Sequence, residues 1–136
     1  MSLIMPSHNK IALLVLLLTS LLSAAAYANT GKTAYVELTP DFVVNHLDDN
    51  GQLKYIKASI TIRTDEAERV VILRNMPLIR DALVMFLSSR TSDQVIGALA
   101  REETRKEATV KVNDALKEET GQTPVADILF GSFVTQ

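Results

Sequence analysis

An uncharged segment of 18 residues, Ile11 to Ala28, precedes a chain of mixed charge. This segment limits where the domain formed by the remaining residues can be located. An apolar stretch near an amino terminus directs a chain to a membrane, so the remaining residues form a domain inserted at that membrane or moved across it. The stretch Met1 to Lys10 is the only candidate for a cytoplasmic part. We therefore expect the folded domain outside the cytoplasm, which disfavours most cytosolic functions.

Two interpretations of this segment stay open. As a cleaved secretory signal, it would end at the small-x-small site formed by Ala26 and Ala28, with Asn29 as the first mature residue. As a membrane anchor, it would have to span the bilayer, which takes about 17–25 apolar residues. The segment only just reaches that length. Residues 1–28 are thus either a signal peptide or a single anchor, and the membrane is a partner only if they are not cleaved.

The rest of the chain has the length of one ordinary domain, residues 34–136, after a short linker at 29–33. The formal net charge of the whole chain is −2, which provides no basic footprint for nucleic acid. The absence of cysteine excludes a disulfide framework and a thiol nucleophile. These properties favour a small domain that folds on its own and does not bind nucleic acid.

Alternating apolar residues predict an antiparallel hairpin in the first half of the domain. Residues 35–38 and 42–47 are two strand candidates, and Asn50-Gly51 is a strong turn signal before a return strand at 53–63. On the return strand, the residues that share one face are Ile56, Ala58, Ile60 and Ile62. This period of two predicts one packed face and one face in water.

Helical spacing dominates the second half of the domain. Pro77 predicts a helix start or a kink, followed by a short helix at 93–99 and a long charged helix at 100–120 that Gly121 ends. A final strand at 125–134 must pair with an earlier strand to satisfy its backbone. The order predicts an α+β domain with a small, mainly antiparallel sheet and helices on one face, preceded by one hydrophobic helix.

Few residues are candidates for catalysis or metal binding. His46 lies near Asp48 and Asp49, and Ser59 could complete a triad with them, but one histidine followed by loop carboxylates is typical of a solvated turn. A metal site needs three or four ligands at motif spacing, and the turn lacks the ligand spacing of a calcium loop. We predict no catalytic, cofactor-binding or metal-binding residues, and therefore a binding or structural module rather than an enzyme.

Five motifs in a fixed order resemble one protein family. They are an opening motif, a hairpin, a helix motif, a segment of the charged helix and a C-terminal segment. Their positions are 39–45, 53–56 after the Gly51 turn, 76–82 with 87–91, 113–116 and 130–136. The pattern is similar to the flagellar basal-body-associated protein FliL family and covers about residues 35 to 136.

The resemblance implies a role that residue chemistry alone does not supply. Members are expected to be single-pass inner-membrane proteins whose periplasmic domain lies at the flagellar basal body and has a stomatin/prohibitin-like fold. That domain would form a homo-oligomeric ring, with flagellar stator and basal-body proteins as partners. It would support motor torque, rotation, swimming, swarming and chemotaxis, without a known catalytic activity or cofactor.

The amino-terminal part departs from this family pattern. The tail is ten residues long, the apolar segment is marginal as a span and ends in a cleavage-like site, and the linker has five residues. These departures indicate a FliL-like paralogue, with a chain cleaved and soluble in the periplasm as the alternative to an anchored one. A soluble periplasmic binding or chaperone-like module without a motor role is the corresponding functional alternative.

Three charged residues are candidate interface positions. Arg80 and Asp81 lie on an otherwise apolar helix, where a charged side chain either extends to the surface or meets a partner. Glu107 lies on the charged helix. We expect charge reversal at Arg80 or Glu107 to lower motility without unfolding the domain.

Overall fold

The computed structural model of this protein describes residues 31–136. The candidate signal or anchor at 11–28, with the cleavage residues Ala26, Ala28 and Asn29, lies outside the described residues. Within the described range, no helix is both long enough and apolar enough to cross a membrane.

Three antiparallel strands form one sheet. Strand β1 spans Thr33–Leu47, β2 spans Leu53–Asp65 and β3 spans Val125–Thr135, and β2 lies between the other two. The hairpin between β1 and β2 and the pairing of the last strand with an earlier one are both confirmed. At the turn, Gly51 has a φ of 74°, a value that glycine adopts without strain.

All the helices of the described residues lie between β2 and β3 in the chain. A 3₁₀ turn at Glu66–Glu68 is followed by α1 (Arg69–Arg74), α2 (Met76–Ser88), α3 (Ser92–Val95) and α4 (Ala98–Thr120). Proline stands in the first turn of α2, as expected. The predicted helix at 93–99 was too long, because Gly97 has a φ of 96° and separates α3 from α4.

The helices cover one face of the sheet, which confirms the α+β arrangement. On β2 the alternate residues Ile56, Ala58, Ile60 and Ile62 are buried. The helices bury a stripe of their own against the same core: Ile79, Leu83, Phe86 and Leu87 from α2, and Thr104, Ala108, Val112 and Leu116 from α4. Burial of these two patterns against each other is the main source of stability that the sequence encodes.

Strand β1 is one continuous strand, so the prediction of two strands was wrong. Its pairing with β2 shifts register between Leu38, opposite Ile60, and Phe42, opposite Ala58. The chain therefore bulges around Pro40, which has no N–H to donate to the ladder. The bulge interrupts the pairing but keeps both halves of the strand in the same sheet.

Strand β3 also carries a bulge, and its extra residue is Gly131. The Oγ of Ser59 accepts a hydrogen bond from the N–H of Ser132 at 2.7 Å, and a Cβ on Gly131 would lie 2.7 Å from the same Oγ. The bulge brings Phe130 and Phe133 together, with ring centroids 4.9 Å apart. The close approach of Ser59 explains why a residue without a side chain stands here.

We expect Gly131→Ala to lower the free energy of unfolding by about 1 to 2 kcal/mol, because the new methyl group displaces the Ser59 hydroxyl from Ser132. Chemical denaturation followed by circular dichroism measures the change. In a Ser59→Ala background the same substitution should cost little, since the nearest remaining atom, the Cβ of Ser59, is 3.8 Å away. An equal cost in both backgrounds would contradict this contact as the cause.

Candidate interaction surfaces

The face of the sheet opposite the helices carries an apolar cluster at the hairpin end. Its members, which we call the outer-face patch, are Val43, Leu47, Leu53, Tyr55 and Val134, and each is 46–64% exposed. The strand register brings them together: Leu47 lies opposite Leu53, and Lys57 pairs with both Val43 and Val134. A hollow of about 340 Å³ lies among Val43, Tyr55, Lys57, Val134 and Gln136. Grouped apolar side chains on a wet face are typical of a surface that meets another molecule.

The free edge of β3 is protected along its first half by side chains of α4. Asn113 bonds both backbone groups of Val125, donating at 2.8 Å and accepting at 3.0 Å. The Thr109 hydroxyl accepts the N–H of Ile128 at 3.1 Å, and Arg105 donates to the carbonyl of Ile128 at 3.1 Å. These three side chains stand four residues apart on one face of the helix, so a single helix face satisfies this half of the edge.

The second half of that edge, residues 130–135, has no such cover among the described residues; we call it the open edge. Gln136 exchanges both backbone hydrogen bonds with Tyr55 of β2, at 2.9 and 2.8 Å. Because backbone direction alternates along a strand, the N–H and C=O groups of Phe133 and Thr135 point away from β2. A second hollow, of about 350 Å³, flanks this edge on the helix side.

Arg105 joins α4 to β3 through a cluster of ionised groups. It forms a bidentate pair with Glu102, at 2.8 and 2.6 Å, and an ion pair with Asp127, which Arg63 of β2 also approaches at 3.5 Å. The hydrogen bond from Arg105 lowers the pKa of Glu102 below its ordinary value of 4.5, against an opposing effect of desolvation. The same hydrogen bond raises the pKa of Arg105, which therefore stays charged at every accessible pH.

The stability of the domain should depend on the ionisation of Glu102. A carboxyl whose pKa is lowered by folding stabilises the protein at pH values above its ordinary pKa of 4.5. That contribution is lost as the pH falls through the pKa of the folded state. We expect Glu102→Gln to destabilise the domain more at about pH 7 than at about pH 3, because protonation at low pH removes the contribution of the carboxylate. Denaturant unfolding at both pH values measures this difference. Glu103→Gln is the matched control, since Glu103 has no ion-pair partner among the described residues, and the same pH dependence there would contradict the assignment.

The structure gives two of the three candidate interface residues partners inside the domain. Arg80 donates to the carbonyl of Pro40 at 2.9 Å, and its guanidinium carbon lies 4.2 Å from the centre of the Phe42 ring. It therefore holds α2 against the bulge of β1. Asp81, beside it in the chain, is exposed and has no hydrogen bond or ion pair within the described residues.

Glu107 is paired with Arg90, which follows the end of α2. Arg90 is only 8% exposed, and its guanidinium carbon lies 4.1 Å from the centre of the Phe86 ring. The side chain of Glu107 is about half exposed, so this ion pair links α4 to the end of α2 at the surface. Arg80 and Glu107 are not brought together into one site: each makes its own contact between elements.

Of the residues considered for catalysis, His46, Asp48 and Asp49 line one hollow of about 330 Å³ beside the turn, but Ser59 does not join them. Asp49 and Asn50 in the turn are exposed, as a solvated turn requires, whereas His46 of β1 is only 4% exposed. It faces the core, whereas Ser59 lies on the opposite face of the sheet and bonds Ser132. In the turn, one oxygen of Asp48 accepts the N–H groups of Asn50 and Gln52 at 2.9 and 2.7 Å. No group of three or more acidic, histidine or cysteine side chains within residues 31–136 could hold a metal ion.

Sequence reasoning did not find the outer-face patch or the open edge. Both depend on which residues of three strands lie side by side, and that register is not visible in a single strand. One local signal was present: Leu53 and Tyr55 are apolar residues in the outward phase of β2. Such residues at positions predicted to face water indicate a surface that another molecule covers.

Comparison with known proteins identifies the family. The family model described as "Flagellar basal body-associated protein FliL" matches residues 35–136. The Flagellar protein FliL of Aquifex aeolicus (strain VF5) is 30% identical over 101 residues, which is 74% of this chain and 60% of that relative. The chain thus spans about three fifths of the length of this relative. Because the family match extends over every strand and helix of the described domain, this protein belongs to the FliL family of flagellar basal body-associated proteins.

Proposed function

We propose that this protein is a non-enzymatic accessory of the flagellar motor. Its domain would associate with stator units and with further copies of itself at the basal body, and so support torque, swimming or swarming. The observation that carries the proposal is the family match over residues 35–136, which includes all the elements that form the core. The name of the Aquifex aeolicus relative agrees with a flagellar role.

The proposal places the domain in the periplasm, with a stomatin/prohibitin-like fold. The uncharged segment at 11–28 supports export, either as an inner-membrane anchor or as a signal cleaved before Asn29. The mass of the native chain and the cell fraction that contains it distinguish an anchor from a cleaved signal. A full-length chain in the inner membrane favours an anchor, and a chain that begins at Asn29 in the soluble periplasm favours a signal.

The surface chemistry supports association rather than catalysis. The outer-face patch groups five exposed apolar side chains on the face that no described helix covers. The open edge next to it offers unpaired backbone groups, which another chain can extend into a larger sheet. A domain that works within an assembly needs surfaces of this kind.

Motility of complemented strains tests the proposal. Deletion of the gene should reduce the growth of swimming rings in soft agar, and the wild-type chain should restore it. Asp81→Lys should lose roughly half or more of that growth, because a charge reversal within an interface costs several kcal/mol of association. Arg80 and Glu107 are unsuitable for this test, since each has an internal partner.

Asp114→Lys is the matched control, because it makes the same charge change at an exposed position of α4. It should swim as the wild type does, and both variants should have unchanged free energies of unfolding. If the strain with Asp81→Lys swims normally, Asp81 is not part of the interface. Normal swimming of the deletion strain would contradict the motor role and favour the alternative of a periplasmic binding or chaperone-like module.

A further inference from the structure

The free edge of β3 has a covered half and an open half. Three side chains of α4 satisfy the backbone at Val125 and Ile128, and the outward groups of Phe133 and Thr135 have no partner among the described residues. An exposed strand edge is a template for another strand unless it is covered, charged or bulged. The protection of one half makes the open edge a short, defined template.

A hollow lies on each side of the open edge. The hollow on the helix side is lined mainly by Phe130, Phe133 and Arg101. The hollow on the outer face is lined by three members of the outer-face patch, Val43, Tyr55 and Val134, with Lys57 and Gln136. Side chains of an added strand would point alternately to the two faces of the sheet, so successive residues would enter one hollow and then the other.

Each hollow also carries a cation without an acidic partner among the described residues. On the helix side this is Arg101, whose guanidinium carbon lies 5.7 Å from the centre of the Phe133 ring. On the outer face it is Lys57, which is exposed and pairs in register with Val134. Glu102, the acid nearest to Arg101 in this hollow, is already bound to Arg105. The charge that complements these two hollows is therefore negative, whereas a further hollow at Thr135 is lined by Asp48, Asp49 and Lys54.

We propose that the open edge of β3 binds an extended, acidic segment of a partner protein by adding it as a fourth strand. The backbone groups of Phe133 and Thr135 provide the ladder hydrogen bonds, and Arg101 and Lys57 select acidic side chains. This inference stands on the edge, the hollows and the charges, and does not depend on the flagellar role.

A second copy of this chain fits the edge less well than an acidic peptide. Pairing of two copies through the same edge would bring the Arg101 and Lys57 cations of both copies to one seam, and like charges across a pair of strands are unfavourable. Pairing with the free edge of β1 would meet the bulge at Pro40, whose nitrogen cannot donate to the new ladder.

Hydrogen exchange of the full chain in detergent micelles, followed by mass spectrometry and NMR, tests the proposal. The probe is a synthetic peptide, Thr-Val-Val-Glu-Glu-Val-Thr, whose adjacent glutamates would point to opposite faces of the sheet, and its control has lysine in place of both glutamates. We expect the acidic peptide to slow exchange of the Phe133 and Thr135 amides and to bind about tenfold more tightly than the lysine peptide.

Two charge reversals on α4 make the test specific. Arg101→Glu should remove most of the preference for the acidic peptide, and Lys111→Glu, an equal charge change at an exposed position away from the hollow, should retain it. The proposal is overturned if both peptides protect these amides equally, or if protection appears on β1 instead. It is also overturned if the Phe133 and Thr135 amides are already slow to exchange in the free chain, since the edge would then be occupied.

Discussion

Replacement of Leu83 by alanine is expected to lower the free energy of unfolding of this domain by about 2 to 5 kcal/mol. Leu83 is 0% exposed and lies on α2 where the helix packs into the core beneath the sheet. The truncation removes buried methyl groups and leaves a cavity that the neighbouring side chains fill only in part. Urea denaturation followed by circular dichroism measures the loss.

Met85→Ala is the matched control on the same helix. Met85 is 65% exposed, and alanine retains the helix propensity of the position. Its substitution should change the free energy of unfolding by less than about 0.5 kcal/mol. If Met85→Ala lowered the free energy of unfolding as much as Leu83→Ala, α2 would not pack into the core with the face that carries Leu83.

Much of the fold could be predicted because its determinants are local. The alternation along β2 identifies its buried face from that segment alone, and the stripe on α2 does the same for a helix. Pro77 and Gly121 act through their own backbone conformations, which do not depend on distant residues. The predictions from these residues match the structure because each residue acts within its own turn or strand.

The continuity of β1 could not be predicted, because it depends on the partner strand. Pro40 is a reasonable end for a strand when one segment is considered alone. In the structure, β2 pairs on both sides of the bulge, and the side chain of Arg80 reaches the carbonyl of Pro40 from α2. Pairing with β2 therefore keeps β1 continuous although Pro40 locally disfavours a strand.

The contacts of the candidate interface residues could be predicted only in part, because they too depend on residues distant in the sequence. Arg80 was selected as a charged residue on an otherwise apolar helix, and Glu107 as a residue of the long charged helix. Their partners are a backbone carbonyl of β1 and Arg90, and neither is close in sequence to the residue that it binds. The burial of His46 likewise follows from its inward phase on β1 and not from the polar turn beside it.

Removal of the Glu107 carboxylate is expected to destabilise the domain more than replacement of Arg90 by methionine. Arg90 is nearly buried, and its Nε has no hydrogen-bond partner among the described residues, so the cation depends on Glu107 for compensation. Glu107→Ala leaves that charge unpaired and should cost about 2 to 3 kcal/mol, less than in a fully buried pair because the carboxylate is half exposed. Arg90→Met keeps the apolar packing against Phe86 and should cost about 1 kcal/mol or less.

The double variant Arg90→Met/Glu107→Ala separates a structural role of Glu107 from an interface role. Without the buried cation, loss of the carboxylate should add little, so the double variant should be more stable than Glu107→Ala alone when both are unfolded in urea. A double variant as unstable as Glu107→Ala would contradict the charge as the cause. If Glu107 also contacts a partner, the double variant should recover its stability but not its swimming. If the ion pair only joins α4 to the end of α2, stability and swimming should recover together.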